Sequence, residues 1–190
     1  ARQAFRIDRE VRSGRWPKPA GVSLRGKTVG IVGLGDIGSQ FAARAQSSGL
    51  RTIAWDPNLQ VNTAGVTVMP GWPNGLTDCD FLVFACALNK ATKHMFNSSI
   101  AHEIKAGLRL INVSRGALID EEFLIEALES GLVHSAALDV FEHEPLTNNS
   151  PLRGHDDCIF GSHNASNTQD AVLRTSVETL KIVHGFLERK

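Results

Sequence analysis

The chain has 190 residues, 42% of them apolar, and its 20 Lys+Arg are balanced by 20 Asp+Glu. That length supports one domain with a substantial core, and zero formal net charge gives no electrostatic basis for binding nucleic acid or an acidic membrane. The longest apolar run, residues 81–88, is too short to span a bilayer, and Cys79, Cys86 and Cys158, lacking C-x-x-C spacing, read as reduced thiols of a cytoplasmic protein.

Residues 1–12 read as a charged helix that Gly14, Pro17 and Pro19 end. A first strand runs from about Lys27, and its β-branched part over 28–32 leads into Gly33, Gly35 and Gly38. Beyond it Ile37, Phe41 and Ala45 recur every four positions, as one face of a helix ending near Ser48. A second strand covers 51–55, a short one is expected over 66–69, and residues 70–75 are turn-rich. The continuous apolar run after Asp80 predicts a strand over 81–87 buried on both faces. A short helix over 100–104 and a strand over 108–113 follow.

Asp120 is placed to cap a helix that carries Phe123, Leu124, Ala127 and Leu128 on one face, with Gly131 at its end. Then come a strand over 135–140, a loop over 144–157 and a short strand over 158–160. The last element is a long helix starting near Asn167 or Thr168, with Leu173, Val177, Leu180, Val183 and Leu187 on one side. Strands alternating with helices predict an α/β fold of Rossmann type: a doubly wound, mainly parallel sheet with helices on both faces.

The glycines have the G-x-G-x-x-G spacing between a strand and a helix. Gly33 permits a tight turn, Gly35 lets the backbone approach a pyrophosphate, and Gly38 lets the helix pack close to the strand. The helix N-terminus, which includes Asp36 and Ile37, offers N–H groups and a positive dipole to phosphates. Asp56 closes the second strand, 21 positions beyond Gly35, where a ribose-binding acid belongs. A carboxylate there accepts from ribose hydroxyls and repels a 2′-phosphate, which favours NAD over NADP. Asp56 also opens an Asp-Pro turn with Pro57; the order strand, turn, helix, strand, acid favours the cofactor role.

Three polar stretches follow strands, over residues 111–116, 137–146 and 161–168. In α/β sheets these carboxyl ends bind ligands. Arg115 offers a planar fork for a carboxylate. His163 can move a proton near neutral pH, and Glu144 can hydrogen-bond that imidazole and fix its tautomer. Together with bound NAD, these groups describe hydride transfer to or from a 2-hydroxy acid. His94, His102, His134, His155 and His184 read as surface or satisfied residues and His143 as solvated. His155, Asp156, Asp157 and Cys158 match no standard metal-ligand spacing, so no metal is expected.

These motifs resemble the cofactor-binding domain of the D-isomer-specific 2-hydroxyacid dehydrogenases, the phosphoglycerate dehydrogenase-like group. The likeness runs from Gly14-Arg15-Trp16 through the glycine turn, Asn-Val-Ser-Arg-Gly over 112–116 and Asp-Val-Phe-x-x-Glu-Pro over 139–145 to the final helix. It implies that Arg115 binds the substrate carboxylate, His163 is the catalytic imidazole and Glu144 is its paired acid; motif spacing selects Glu144 over Glu142. It further implies that Asp139 lies near the nicotinamide amide, and that Gly33, Gly35, Gly38, Ile37 and Asp56 form the NAD site.

Two local departures stand out. Ser162 replaces the family's Pro before the histidine, and in the loop 88–92 only Thr92 matches well. The resemblance also implies a small 2-hydroxy or 2-keto acid substrate and a homodimer built through this domain. Only 26 residues precede the first strand, which is the reading expected of an excised or shortened domain: an N-terminal helix and linker over 1–26, a core and final helix over 27–190, and a substrate domain largely absent. An NAD-sensing module of the same fold is the alternative, but it needs only the glycines and the acid. A formate dehydrogenase-like branch usually replaces the paired Glu, so Glu144 argues against it.

Overall fold

The computed structural model describes residues 1–58 and 65–188. Seven strands form one sheet in the order β3-β2-β1-β4-β5-β6-β7, and every adjacent pair is parallel. The strands are β1 (Thr28–Val32), β2 (Arg51–Trp55), β3 (Val66–Val68), β4 (Phe81–Phe84), β5 (Leu108–Asn112), β6 (Val133–Leu138) and β7 (Ile159–Phe160). The helices are α1 (Ala4–Arg12), α2 (Asp36–Ser47), α3 (Glu121–Glu129) and α4 (Gln169–Leu187). This is the doubly wound Rossmann arrangement expected from the alternation of elements.

The two faces of the sheet are covered separately. Ala42 and Ala45 of α2 pack on Val29, Ile31, Ala54, Phe81 and Val83. Phe123, Leu124 and Ala127 of α3 pack on the other face, with Val32, Leu82, Phe84, Leu110 and Leu138. β1 and β4 are buried along their whole length, which is why both read as continuous apolar runs. On the α3 face an aromatic row crosses the sheet from Trp55 to Trp72, Phe84, Phe96 and Phe123, with neighbouring ring centroids 5.4–6.2 Å apart. The Trp72 indole N–H donates to the Met95 carbonyl at 3.0 Å.

Local capping follows the sequence. The Asp120 carboxylate accepts the Phe123 N–H and the Thr168 hydroxyl accepts the Ala171 N–H, while Gly131 takes φ +77° just beyond α3. Some boundaries differ from expectation. β4 stops at Phe84 and β6 begins at Val133, next to a register shift at Leu108/Arg109. The crossover from β4 to β5 carries a 3-10 turn instead of an α-helix: Asn97 accepts the Ser99 N–H and starts it over Ser98–Glu103. The expected loop over 144–157 holds another at Pro151–Gly154.

α4 carries its apolar residues on the surface. None of its side chains is buried, and Leu173 and Leu180 are each about two-thirds exposed. Among the described residues, no helix is long and apolar enough to cross a membrane.

The chain winds outward from β1 through β2 to β3, then returns to place β4 on the other side of β1. Such a reversal opens a crevice at the carboxyl ends of the two central strands. The candidate site lies there.

Candidate active site

Gly33 follows β1 with φ +92°, and a Cβ on it would press to 2.7 Å from the Cys86 backbone, so only glycine closes this turn beside the end of β4. Gly38 lies against the Gly33 carbonyl with no room for a side chain. A Cβ on Gly35 would instead meet nothing within 4 Å, leaving the open approach that a pyrophosphate needs. Gly35 precedes α2 and provides no side-chain cap, so first-turn N–H groups are available to an anion. Asp36 begins that turn and Ile37 is exposed beside it. These features fit a dinucleotide.

Asp56 closes the other side of the turn. Its Oδ2 accepts the Leu34 N–H at 2.8 Å, and its Oδ1 accepts the Asn58 N–H at 2.9 Å. Both sequence readings of Asp56 meet here: it braces the Asp-Pro turn and stands beside the glycines. Thr92 is buried in the loop after β4; its hydroxyl donates to the Ala87 carbonyl and accepts the Asn89 N–H. It therefore shapes that loop from within. Cys86 sits at the crevice, but burial pushes its thiol up to about 11, so it is a poor nucleophile.

β5 delivers Arg115. Asn112, the last residue of the strand, is fully buried; its amide donates to the Arg115 carbonyl at 2.9 Å and accepts the Ser114 N–H at 3.1 Å. The Ser114 hydroxyl donates to the Cys86 carbonyl, tying this turn to β4. The backbone around Arg115 is thus fixed while its guanidinium is exposed on the rim, donating to the Ser114 carbonyl at 2.7 Å.

β6 and β7 deliver the acid and the imidazole. Asp139 accepts the N–H groups of Asn164 and Ala165 on its carboxylate and that of His163 on its main-chain carbonyl, at 2.7–3.0 Å. It clasps the loop that presents His163, whose φ is +58°. Glu144 Oε1 accepts the Phe141 N–H at 3.1 Å, and Oε2 accepts from His163 Nδ1 at 2.8 Å. The His163 hydrogen bond, and then that of Phe141, hold the Glu144 carboxyl below its ordinary range, with the Arg115 charge a smaller contribution. With Nδ1 committed to Glu144, Nε2 is the nitrogen left for proton exchange with a ligand. The pair borders a cleft of about 480 Å³ with apolar walls from Phe141, Leu146 and Phe160.

Glu142, the competing acid, points elsewhere: its Oε1 accepts from His94 Nε2 at 2.6 Å. Sequence reasoning passed over this pair and over Asn112. The only local signal for Asn112 was a polar residue closing an apolar strand.

The family model described as "D-isomer specific 2-hydroxyacid dehydrogenase, NAD binding domain" matches residues 1–165. The chain belongs to that family. Its cofactor is NAD, as that domain description states. It is 36% identical over 193 residues to D-3-phosphoglycerate dehydrogenase 2, chloroplastic, of Arabidopsis thaliana, covering 99% of this chain and 31% of the relative. A glyoxylate reductase from Paecilomyes thermophila superposes with a TM-score of 0.84 at 31% identity, covering 93% of this chain and 54% of that one. The D-lactate dehydrogenase of Aquifex aeolicus, complexed with NAD and lactic acid, gives a TM-score of 0.89 at 25% identity, with coverage of 98% and 62%. This family domain therefore spans about a third of the plant relative's length and somewhat more than half of the two solved chains.

Proposed function

We propose that the chain provides the cofactor side and the proton-transfer groups of a dehydrogenase that interconverts a D-2-hydroxy acid and its 2-keto acid, of the phosphoglycerate, hydroxypyruvate or glyoxylate kind. The observation that carries this reading is the His163–Glu144 pair at 2.8 Å, on the strand-end rim that also bears Arg115 and the glycine turn. Bound NAD supplies the hydride acceptor, and NADH the donor. Gly33, Gly35 and Gly38 with the start of α2 hold the pyrophosphate, and Asp56 takes the ribose hydroxyls. Asp36, Ile37 and Asp139 complete the cofactor contacts, and Thr92 serves the site from within by shaping the loop after β4. Arg115 holds the substrate carboxylate by its fork. In reduction His163 gives its Nε2 proton to the carbonyl oxygen, and in oxidation it takes the hydroxyl proton. Glu144 stabilises the imidazolium by a charge-assisted hydrogen bond.

Homodimerisation through this domain is part of the proposal, supported by the exposed Phe5 of α1 and the exposed Leu173 and Leu180 of α4. The proposal places the substrate side of the pocket in a second domain. A cytoplasmic location rests on the three free thiols. An NAD sensor would need the glycines and Asp56 only, and an assembled imidazole–carboxylate pair favours the enzyme.

The test is NADH-dependent reduction of 2-keto acids by the full-length polypeptide. His163→Ala lowers kcat by roughly two to four orders of magnitude, the usual worth of general acid catalysis, with NADH affinity little changed. Near wild-type kcat in that variant overturns the assignment. Tight NADH binding without turnover of any 2-keto acid supports the sensor.

A further inference from the structure

A second imidazole–carboxylate pair lies two residues from the first. His94 Nε2 donates to Glu142 Oε1 at 2.6 Å. The other oxygen of Glu142 accepts the Glu121 N–H at 3.4 Å, and Glu121 Oε2 in turn accepts the Glu142 N–H at 3.3 Å. Three separate segments meet here: the loop after β4, the first turn of α3 and the loop after β6. His94 is itself held firmly. Its N–H donates to the Ala117 carbonyl at 2.8 Å, its carbonyl accepts from the Asn97 amide at 2.6 Å, and its φ is +48°. A histidine in the left-handed region is uncommon and costs conformational energy, so its neighbours must specify it.

The clasp holds the segment that presents the proposed acid. Glu142 lies between Phe141, whose N–H donates to Glu144 Oε1, and Glu144, whose Oε2 accepts from His163. Beneath the same peptide sits Gly116, next to Arg115, with no space for a side chain. Two carboxylates, Glu121 and Glu142, face each other across the clasp; burial first, and then the Glu142 charge, push the Glu121 carboxyl up, with the hydrogen bond from the Glu142 N–H and the His143 charge opposing. A donor on Glu142 relieves that repulsion. His94 supplies it.

We propose that His94 and Glu142 are positioning residues for proton transfer: their contact fixes the loop after β6 so that Glu144 meets His163. The proposal rests on the reading of Glu144 and His163 as the proton-transfer pair, and it adds the device that keeps the two in register. It also ties the loop that carries Thr92 to the acid.

The test is an NMR titration of the His163 imidazole in the 190-residue chain. His94→Asn suits a left-handed backbone but is too short to reach Glu142. Glu142→Asp keeps the charge and withdraws the oxygens. Both variants should move the His163 midpoint toward acid by about half a pH unit, because Glu144 loosens its hold on the imidazolium. His94→Gln restores a donor near the Nε2 position and should return the midpoint to that of the unaltered chain.

The sign separates positioning from simple charge. Removing a neighbouring positive charge could only move His163 toward base, and Glu142→Asp alters no charge. An unchanged or basic-shifted midpoint in His94→Asn and Glu142→Asp overturns the proposal, as does a failure of His94→Gln to rescue. If either of the first two variants fails to fold, the other decides. Glu144→Gln is the control. An acid shift there with none in the two variants sinks the clasp alone, and no shift there removes the pair reading and the clasp with it.

Discussion

Gly116 and Phe141 are stacked backbone on backbone, so that a Cβ on Gly116 would overlap the Phe141 carbonyl. The strand-end segments that carry Arg115 and Glu144 are thereby joined by a backbone contact that admits no side chain at all. Gly116→Ala should force the loop after β6 outward. Overpacking of this kind typically costs about 1–3 kcal/mol, read by chemical denaturation. The same variant should weaken the Glu144–His163 contact, seen as an acid shift of the His163 titration. A variant as stable as the parent, with His163 unmoved, would show that the loop has slack.

Asp56 presents a carboxylate beside the glycine turn, where the proposed function puts the ribose of the cofactor. NADH should bind more tightly than NADPH by roughly tenfold or more, since like charges meet at a desolvated contact. Asp56→Ala should narrow that ratio mainly by losing NADH affinity. Calorimetric titration with each nucleotide measures both. Equal affinities in the parent chain would remove Asp56 from its assigned role.

The Glu144 carboxyl lies below its ordinary value of 4.5 in the folded chain, because His163 and the Phe141 N–H bond its ionised form. A depressed folded value means that this stabilisation is complete above about pH 4.5 and is lost as pH falls through the lower folded value. The side chain is 37% exposed, so solvent screening keeps the contribution below about 1 kcal/mol. Glu144→Gln should flatten the loss of stability below pH 4.5, measured by denaturation at stepped pH. In the full-length enzyme the same change should move the pH optimum for reduction toward acid. A stability profile identical to that of the parent would mean that the pair contributes nothing to folding.

Arg115→Lys tests the fork. Its cation persists, but a point charge cannot make two parallel bonds to a carboxylate. Steady-state kinetics of the full-length enzyme should show KM for the keto acid raised about tenfold or more, with kcat reduced less. Unchanged KM would place the substrate carboxylate on another group.

The parts of the site that were legible in the sequence are those built from short-range pattern. Gly33, Gly35 and Gly38 lie within one turn, Asp120 caps its helix through an N–H three residues on, and Asp56 follows a strand whose residues alternate. The crossover from β4 to β5 was legible only in part. Its 3-10 turn at Ser98–Glu103 is too short to establish a periodicity, so a helix over 100–104 was the nearest reading. The His94–Glu142 contact spans 48 positions, and nothing near either residue announces the other. Asn112 differs: its bonds to Ser114 and Arg115 are local, but its full burial, which makes them matter, is set by the packed sheet.

The aromatic row has an optical consequence. The chain contains three tryptophans and no tyrosine, so its near-ultraviolet emission reports on Trp16, Trp55 and Trp72 alone. Trp16 is 76% exposed, whereas Trp55 immediately precedes Asp56 and lies 6.2 Å from Trp72. Indole emission overlaps the absorption of a reduced nicotinamide. A dinucleotide bound against Asp56 should therefore drain light from the inner tryptophans and re-emit it in the blue. Iodide in solution would silence Trp16 first and leave the inner pair as a spectroscopic ruler that needs no label.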